Sequence, residues 1–139
     1  MTATGASWFR NKRWSEPRNT RRLLAILEEL RETLSAGHAR TVERVLHPRV
    51  TLVVDSGGLT QAPTEAICDR KAVAFTLLAL FGPATGTNAA VVSANATPAL
   101  AFARKGQVIG ILTVRAKRDL AADVWVVINP DKLRHWNPA

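Results

Sequence analysis

The sequence has a single cysteine and no tyrosine in 139 residues. With Cys68 alone, no disulfide framework can form within the chain. Without tyrosine, no phenolic hydroxyl is present to serve in an oxyanion hole. Histidine is scarce too: His38 and His47 lie on different elements, and His135 is near the end. No H-x-x-x-H spacing or matching carboxylate pair accompanies them, so no metal site is expected. The longest apolar stretch, around Ala72 to Phe81, is well short of the ~20 residues that span a bilayer. Met1 to Gly5 lead into basic and aromatic residues, not into the apolar run of a signal peptide. The expectation is a soluble cytoplasmic protein without membrane association.

What is present suits one globular domain. Apolar residues make up 47% and charged residues 22%, and the length is enough to bury a core. The net charge of +8 is uneven. Residues 1–22 hold six cations (Arg10, Lys12, Arg13, Arg18, Arg21, Arg22) against Glu16, so net +5 falls there. This divides the chain into a basic, aromatic arm at 1–18 and a domain at 19–139. Trp8, Phe9 and Trp14 in the arm could stack on bases, or fold back over an apolar edge. The charge could equally serve solubility.

From Asn19 the pattern is helical, with Leu23, Leu27, Leu30 and Leu34 forming a stripe that Leu24 and Ile26 widen. Asn19 or Thr20 can cap its start, and Gly37 suits its end. A short helix follows over Ala39 to Leu46, stopped by Pro48. Val50 to Val54 reads as a strand, Asp55-Ser56-Gly57-Gly58 as a turn and Leu59 to Ala62 as a short return strand. Asp69 can cap a third helix running to Phe81. Four strands complete the chain: Ala89 to Ala94, Ala99 to Arg104, Gln107 to Lys117 and Ala121 to Ile128. The order α-α-β-β-α-β-β-β-β implies an α+β fold, a cone-shaped curved antiparallel sheet packed on three helices. The expected core includes Leu23, Leu27, Leu30, Val53, Leu77, Leu112 and Val126.

Several motifs carry a resemblance. Arg21-Arg22-Leu23-Leu24 with the following helix, Leu46 to Asp55, and Asn129-Pro130-Asp131-Lys132-Leu133 resemble the SnoaL-like branch of the nuclear-transport-factor-2-like superfamily. The nearest likeness is to the C-terminal SnoaL-like extension of one group of extracytoplasmic-function sigma factors, over about residues 20–136. The Asn-Pro-Asp-Lys-Leu close is typical of that group. The group's Asp-Gly-Gly-Gly-Lys turn reads here as Asp55-Ser56-Gly57-Gly58-Leu59, with an apolar residue in place of the lysine. Residues 1–18 are too few for even one promoter-reading helix-turn-helix, so the expectation is the extension as a free-standing protein.

Asp55 is the candidate catalytic residue, because the resemblance implies that an acid near this point serves some enzymes as a base inside the cone. Desolvation there would raise its pKa. Alternatively, Asp55 organises its own turn through Asx-type hydrogen bonds. Gly57, Gly58, Asn129, Pro130, Asp131 and Lys132 are the candidate ligand- or partner-binding residues, the last four through the resemblance. Steroid-isomerase chemistry is disfavoured because tyrosine is absent and Asp119 and Asp123 lie at or just after a turn. Ser56 lacks a nucleophile-elbow spacing, and Cys68 reads as a plain half-buried thiol.

The function expected is a non-catalytic, ligand- or partner-binding regulatory domain without cofactors. Its partner would be a protein in sigma-factor-dependent transcription or a small apolar ligand, and a homodimer is compatible with the sequence. The alternative is a small cofactor-free enzyme, an isomerase, hydrolase or cyclase using Asp55. A third reading is a nucleic-acid accessory protein working through the basic arm.

Overall fold

The computed structural model describes residues 16–58 and 65–137. Helix α1 spans Glu16–Ala36 and α2 Ala39–Val45; strand β1 (Leu46–Asp55) follows, then α3 (Arg70–Phe81). Strands β2 (Asn88–Ala94), β3 (Thr97–Arg104), β4 (Gln107–Lys117) and β5 (Leu120–Val127) form a meander that ends in a short helix, α4 (Pro130–Leu133). The arm residues 1–15, with Trp8, Phe9 and Trp14, and the expected return strand at 59–62 lie outside the described residues.

The local chemistry explains most boundaries. Asp69 caps α3 by accepting from the Ala72 amide at 2.9 Å, and Gly82-Pro83 ends it. Helix α1 starts at Glu16, three residues before the expected Asn19. Pro17 fits there because the first amides of a helix have no intrahelical acceptor. Asn95-Ala96 and Lys105-Gly106 all have positive φ, as two-residue hairpin turns of the I′ type require.

The sheet order is β1-β5-β4-β3-β2. The meander pairs are antiparallel, but β1 runs parallel to β5. The sheet is therefore mixed, where antiparallel pairing throughout was expected. Helix α3 carries the chain from β1 to the far edge, and four alternating strands bring β5 back beside β1 in the same direction. Strand β1 also begins earlier than expected and contains Pro48. Proline is tolerated because β1 is an edge strand whose register shifts between Leu46 and Thr51.

Helices α1, α2 and α3 cover the inner face of the sheet. Leu23, Leu27, Leu30, Leu77, Leu112 and Val126 are buried there, as the periodicity implies. Val53 is not: it is 39% exposed, while Leu52 is fully buried. Side chains alternate along a strand, so Leu52 facing inward turns Val53 outward. Leu24, placed on the α1 stripe by sequence, is likewise exposed.

Aromatic rings occupy part of the cone's interior, beside a pocket of about 120 Å³ bordered by Leu34, Phe81, Ala89 and Phe102. Phe81, on the last turn of α3, stacks on Phe102 of β3 with centroids 3.8 Å apart and planes 5° from parallel. Gly110 makes room for it, since a Cβ there would lie 2.8 Å from the Phe81 ring. Among the described residues, Ser56 is the only buried polar side chain.

Candidate functional site

The tertiary fold brings together most of the site residues singled out by sequence. Strand β1 delivers Asp55 to the sheet end, and β5, its parallel neighbour, delivers Asn129 and Lys132 just beyond its own end. The Ile128 amide donates to the Asp55 carbonyl at 2.8 Å, extending the β1–β5 ladder to this point. Lys132 Nζ donates to Asp55 Oδ2 at 2.5 Å. Asp55 Oδ1 accepts from the Gly57 amide at 3.1 Å and, over a long 3.5 Å, from Asn129 Nδ2.

Each residue has a local reason for its place. Gly57 has φ +68°, and a Cβ on it would sit 2.7 Å from the Asn129 side chain. Both the left-handed backbone and the close approach therefore require glycine. Asn129 caps α4 by accepting from the Asp131 amide at 3.1 Å, and Pro130 occupies the first turn of that helix. Gly58 donates its amide to Ser56 Oγ at 3.2 Å and has open space around its Cα. Asp131 points away from the cluster, toward Arg134 at 3.7 Å.

The hydrogen bond from Lys132 is the main influence holding the Asp55 carboxyl below its ordinary range. Partial burial opposes this, and the Gly57 amide, the Lys132 charge and Asn129 reinforce it. Asp55 is thus an ionised anchor joining β1, its own turn and the C-terminal helix.

The other singled-out residues lie apart from this cluster. Asp119 is exposed at the β4–β5 turn, near Arg22. Asp123 pairs with Arg115 across β4 and β5, with Arg115 Nε donating at 2.7 Å. His38 occupies the α2 N-cap position without a side-chain bond, and His47 Nδ1 accepts from the Arg49 amide at 3.0 Å. Cys68 is exposed, not half-buried, because it precedes the capping residue of α3 outside the packed helix face. Among the described residues, no group of three His, Cys, Asp or Glu is placed to hold a metal ion. None of the described helices is long and apolar enough to cross a membrane.

A second surface was not singled out by sequence. On the outer face of the sheet, Ala99, Ala101, Ile111 and Leu133 form a small cluster, with Trp136 and Val127 packed against it. A groove of about 430 Å³ lies on one side of Leu133, along Val108, Ile109 and Ile128. Another of about 530 Å³ lies on the other, over Ile111, Thr113, Val127 and Trp136. The outer row continues through Thr113 to Trp125, 46% exposed, and Val53. The signal was present in β5: Asp123, which pairs with Arg115 on the solvent side, shares its alternation phase with Trp125.

No family model matches the chain, and no curated protein does. Solved structures do resemble it. One is an extracytoplasmic-function sigma factor, SigJ, from Mycobacterium tuberculosis, with a TM-score of 0.62 and 23% identity over 81% of this chain. The present chain spans less than half of that protein, 44% of its length. A candidate ketosteroid isomerase from Kribbella flavida has a TM-score of 0.55 at 13% identity, covering 78% of each chain. An uncharacterised bacterial protein with a cystatin-like fold, from Silicibacter pomeroyi, has a TM-score of 0.55 at 16% identity, over 78% of this chain and 76% of its own. This chain therefore has the cystatin-like fold shared by SnoaL-like and nuclear-transport-factor-2-like proteins.

Proposed function

We propose that the chain is a non-catalytic regulatory domain that binds a protein partner in sigma-factor-dependent transcription. The observation carrying this reading is the state of Asp55. Its carboxylate is tied to Lys132 and Gly57 with a depressed pKa, whereas a general base benefits from a pKa raised toward the working pH. The small space beside the stacked Phe81 and Phe102, about 120 Å³, gives the same reading support, since small-molecule sites usually offer roughly 300–1,000 Å³. Apolar surface lies instead on the outer face, at Trp125, Val53 and the grooves beside Leu133. Exposed aromatic side chains are typical anchors of protein interfaces. The likeness to a sigma factor suggests the kind of partner: the promoter-reading regions of a sigma factor without an extension of its own.

The test is calorimetric titration of the purified chain against such a sigma factor encoded beside it. Saturable binding is expected, weakened about tenfold or more by Trp125→Ser. Absence of binding would sink the proposal. Isomerase, hydrolase or cyclase turnover that Asp55→Asn abolishes would replace it with the enzymatic reading.

A further inference from the structure

The two edges of the sheet are built differently. Strand β1 contains Pro48 and the charged Arg49, has an irregular register, and exchanges two hydrogen bonds with Ile67 through the Leu52 amide and carbonyl, at 2.8 and 2.9 Å. Proline, charge, bulging and local cover are the devices that keep an edge from pairing with another chain. Strand β2, at the opposite edge, has no proline, charge or bulge. Its sequence, Asn88-Ala89-Ala90-Val91-Val92-Ser93-Ala94, lacks charge, proline and glycine, and it pairs with β3 in unbroken register over all seven residues. Among the described residues, no backbone hydrogen bond ties its outer side. Every second residue of an edge strand turns its N–H and C=O outward.

We propose that β2 is a self-association edge. It pairs antiparallel with β2 of a second copy about a twofold axis through Val91, joining two five-stranded sheets into one. The sequence of the strand favours this occupant. The twofold sets Ala90 opposite Val92, Ala89 opposite Ser93 and Asn88 opposite Ala94, all small and uncharged, so no like charges face each other. The nearby part of α1 carries a neutral ion pair, Arg31 with Glu28 at 2.7 Å, and so opposes a second copy with no single-sign field. Opposed residues share a face, so the outer apolar rows of the two copies become continuous across the axis.

Sedimentation velocity of the full chain from low to high micromolar concentration tests this, with circular dichroism to monitor folding. A concentration-dependent dimer is expected. Ala90→Lys, at an exposed position, should raise its dissociation constant about tenfold or more by placing a charge against an apolar edge. Ser93→Lys, also exposed, provides a second probe should the first disturb the strand. The double variant Ala90→Lys with Val92→Glu should recover the dimer, because the proposed register sets each lysine opposite a glutamate. Trp125→Ser should leave the dimer intact, which separates this edge from the partner face on the outer sheet. A chain that stays monomeric throughout overturns the proposal, as does a dimer unaffected by both lysines or broken by Trp125→Ser alone. Dimerisation that appears only after residues 1–15 are deleted would show that the arm occupies the edge, and also overturns it.

Discussion

On the inner face of the sheet, three helices exclude water from a continuous apolar core; on the outer face, among the described residues, only α4 and the turn after it lie over the strands. The inner layer joins side chains from α1, α2, α3 and every strand. The outer cluster has four buried residues, with open grooves on both sides of Leu133. The two faces belong to the same strands, so strand propensity does not distinguish them. What differs is cover. The inner face specifies the fold, and the outer face leaves apolar side chains such as Val53 and Trp125 exposed.

The largest expected effect tests this asymmetry directly. Phe102→Ala removes a buried ring stacked on Phe81 and leaves a cavity that rigid neighbours fill poorly, so it should cost about 3–5 kcal/mol. Leu133→Ala removes a buried side chain from a layer already flanked by grooves, and its cost should be near the low end for leucine, about 2 kcal/mol. Urea denaturation of both variants measures the difference. Equal losses would mean that the outer layer is a second full core, and the contrast would fail.

A smaller effect belongs to the polar anchor that holds α4 to the sheet end. The folded pKa of Asp55 is depressed, so its contribution to stability is complete above the ordinary carboxylate value of about 3.9 and is lost as pH falls through the depressed value. The Lys132–Asp55 pair is partly exposed, so Lys132→Met should cost about 1 kcal/mol or less at neutral pH. The gap between wild type and variant should narrow below about pH 4. A gap that persists with the carboxylates protonated would show that Lys132 acts through packing of its stem, not through its charge.

The fold was legible wherever a signal was local. Asp69, Gly82-Pro83 and the hairpin turns carry their structural instructions within a few residues, and those elements lie within a residue or two of where the sequence puts them. Strand direction was not legible, because the parallel β1–β5 pair depends on the route of α3 across the sheet, which no short motif encodes. Asp55, Gly57, Asn129 and Lys132 were each visible as residues of interest. Their meeting across 77 positions, from Asp55 to Lys132, required the fold. The outward face of Val53 was not legible for a related reason. In the run Val50-Thr51-Leu52-Val53-Val54 nearly every residue is apolar, so alternation gives no phase until a neighbouring strand supplies it.

Val53 therefore carries the smallest and most diagnostic prediction. Its partner across the ladder is Trp125, and both lie on the outer face with more than a third of their surface exposed. Val53→Thr keeps the β-branched shape that suits a strand and places a hydroxyl where water already reaches, so stability should change by no more than about 0.5 kcal/mol. The adjacent Leu52→Ala, on the inner face, should cost about 2–5 kcal/mol. Denaturant melts of the two variants measure the contrast between the faces at neighbouring positions on one strand. If Val53→Thr instead costs more than about 1.5 kcal/mol, the size expected when a hydroxyl is buried without a partner, then Val53 is covered in solution. Repeating the melt over a range of protein concentrations would identify the cover. A cost that grows with concentration means a second copy lies on this face, and a constant cost means that the chain itself does.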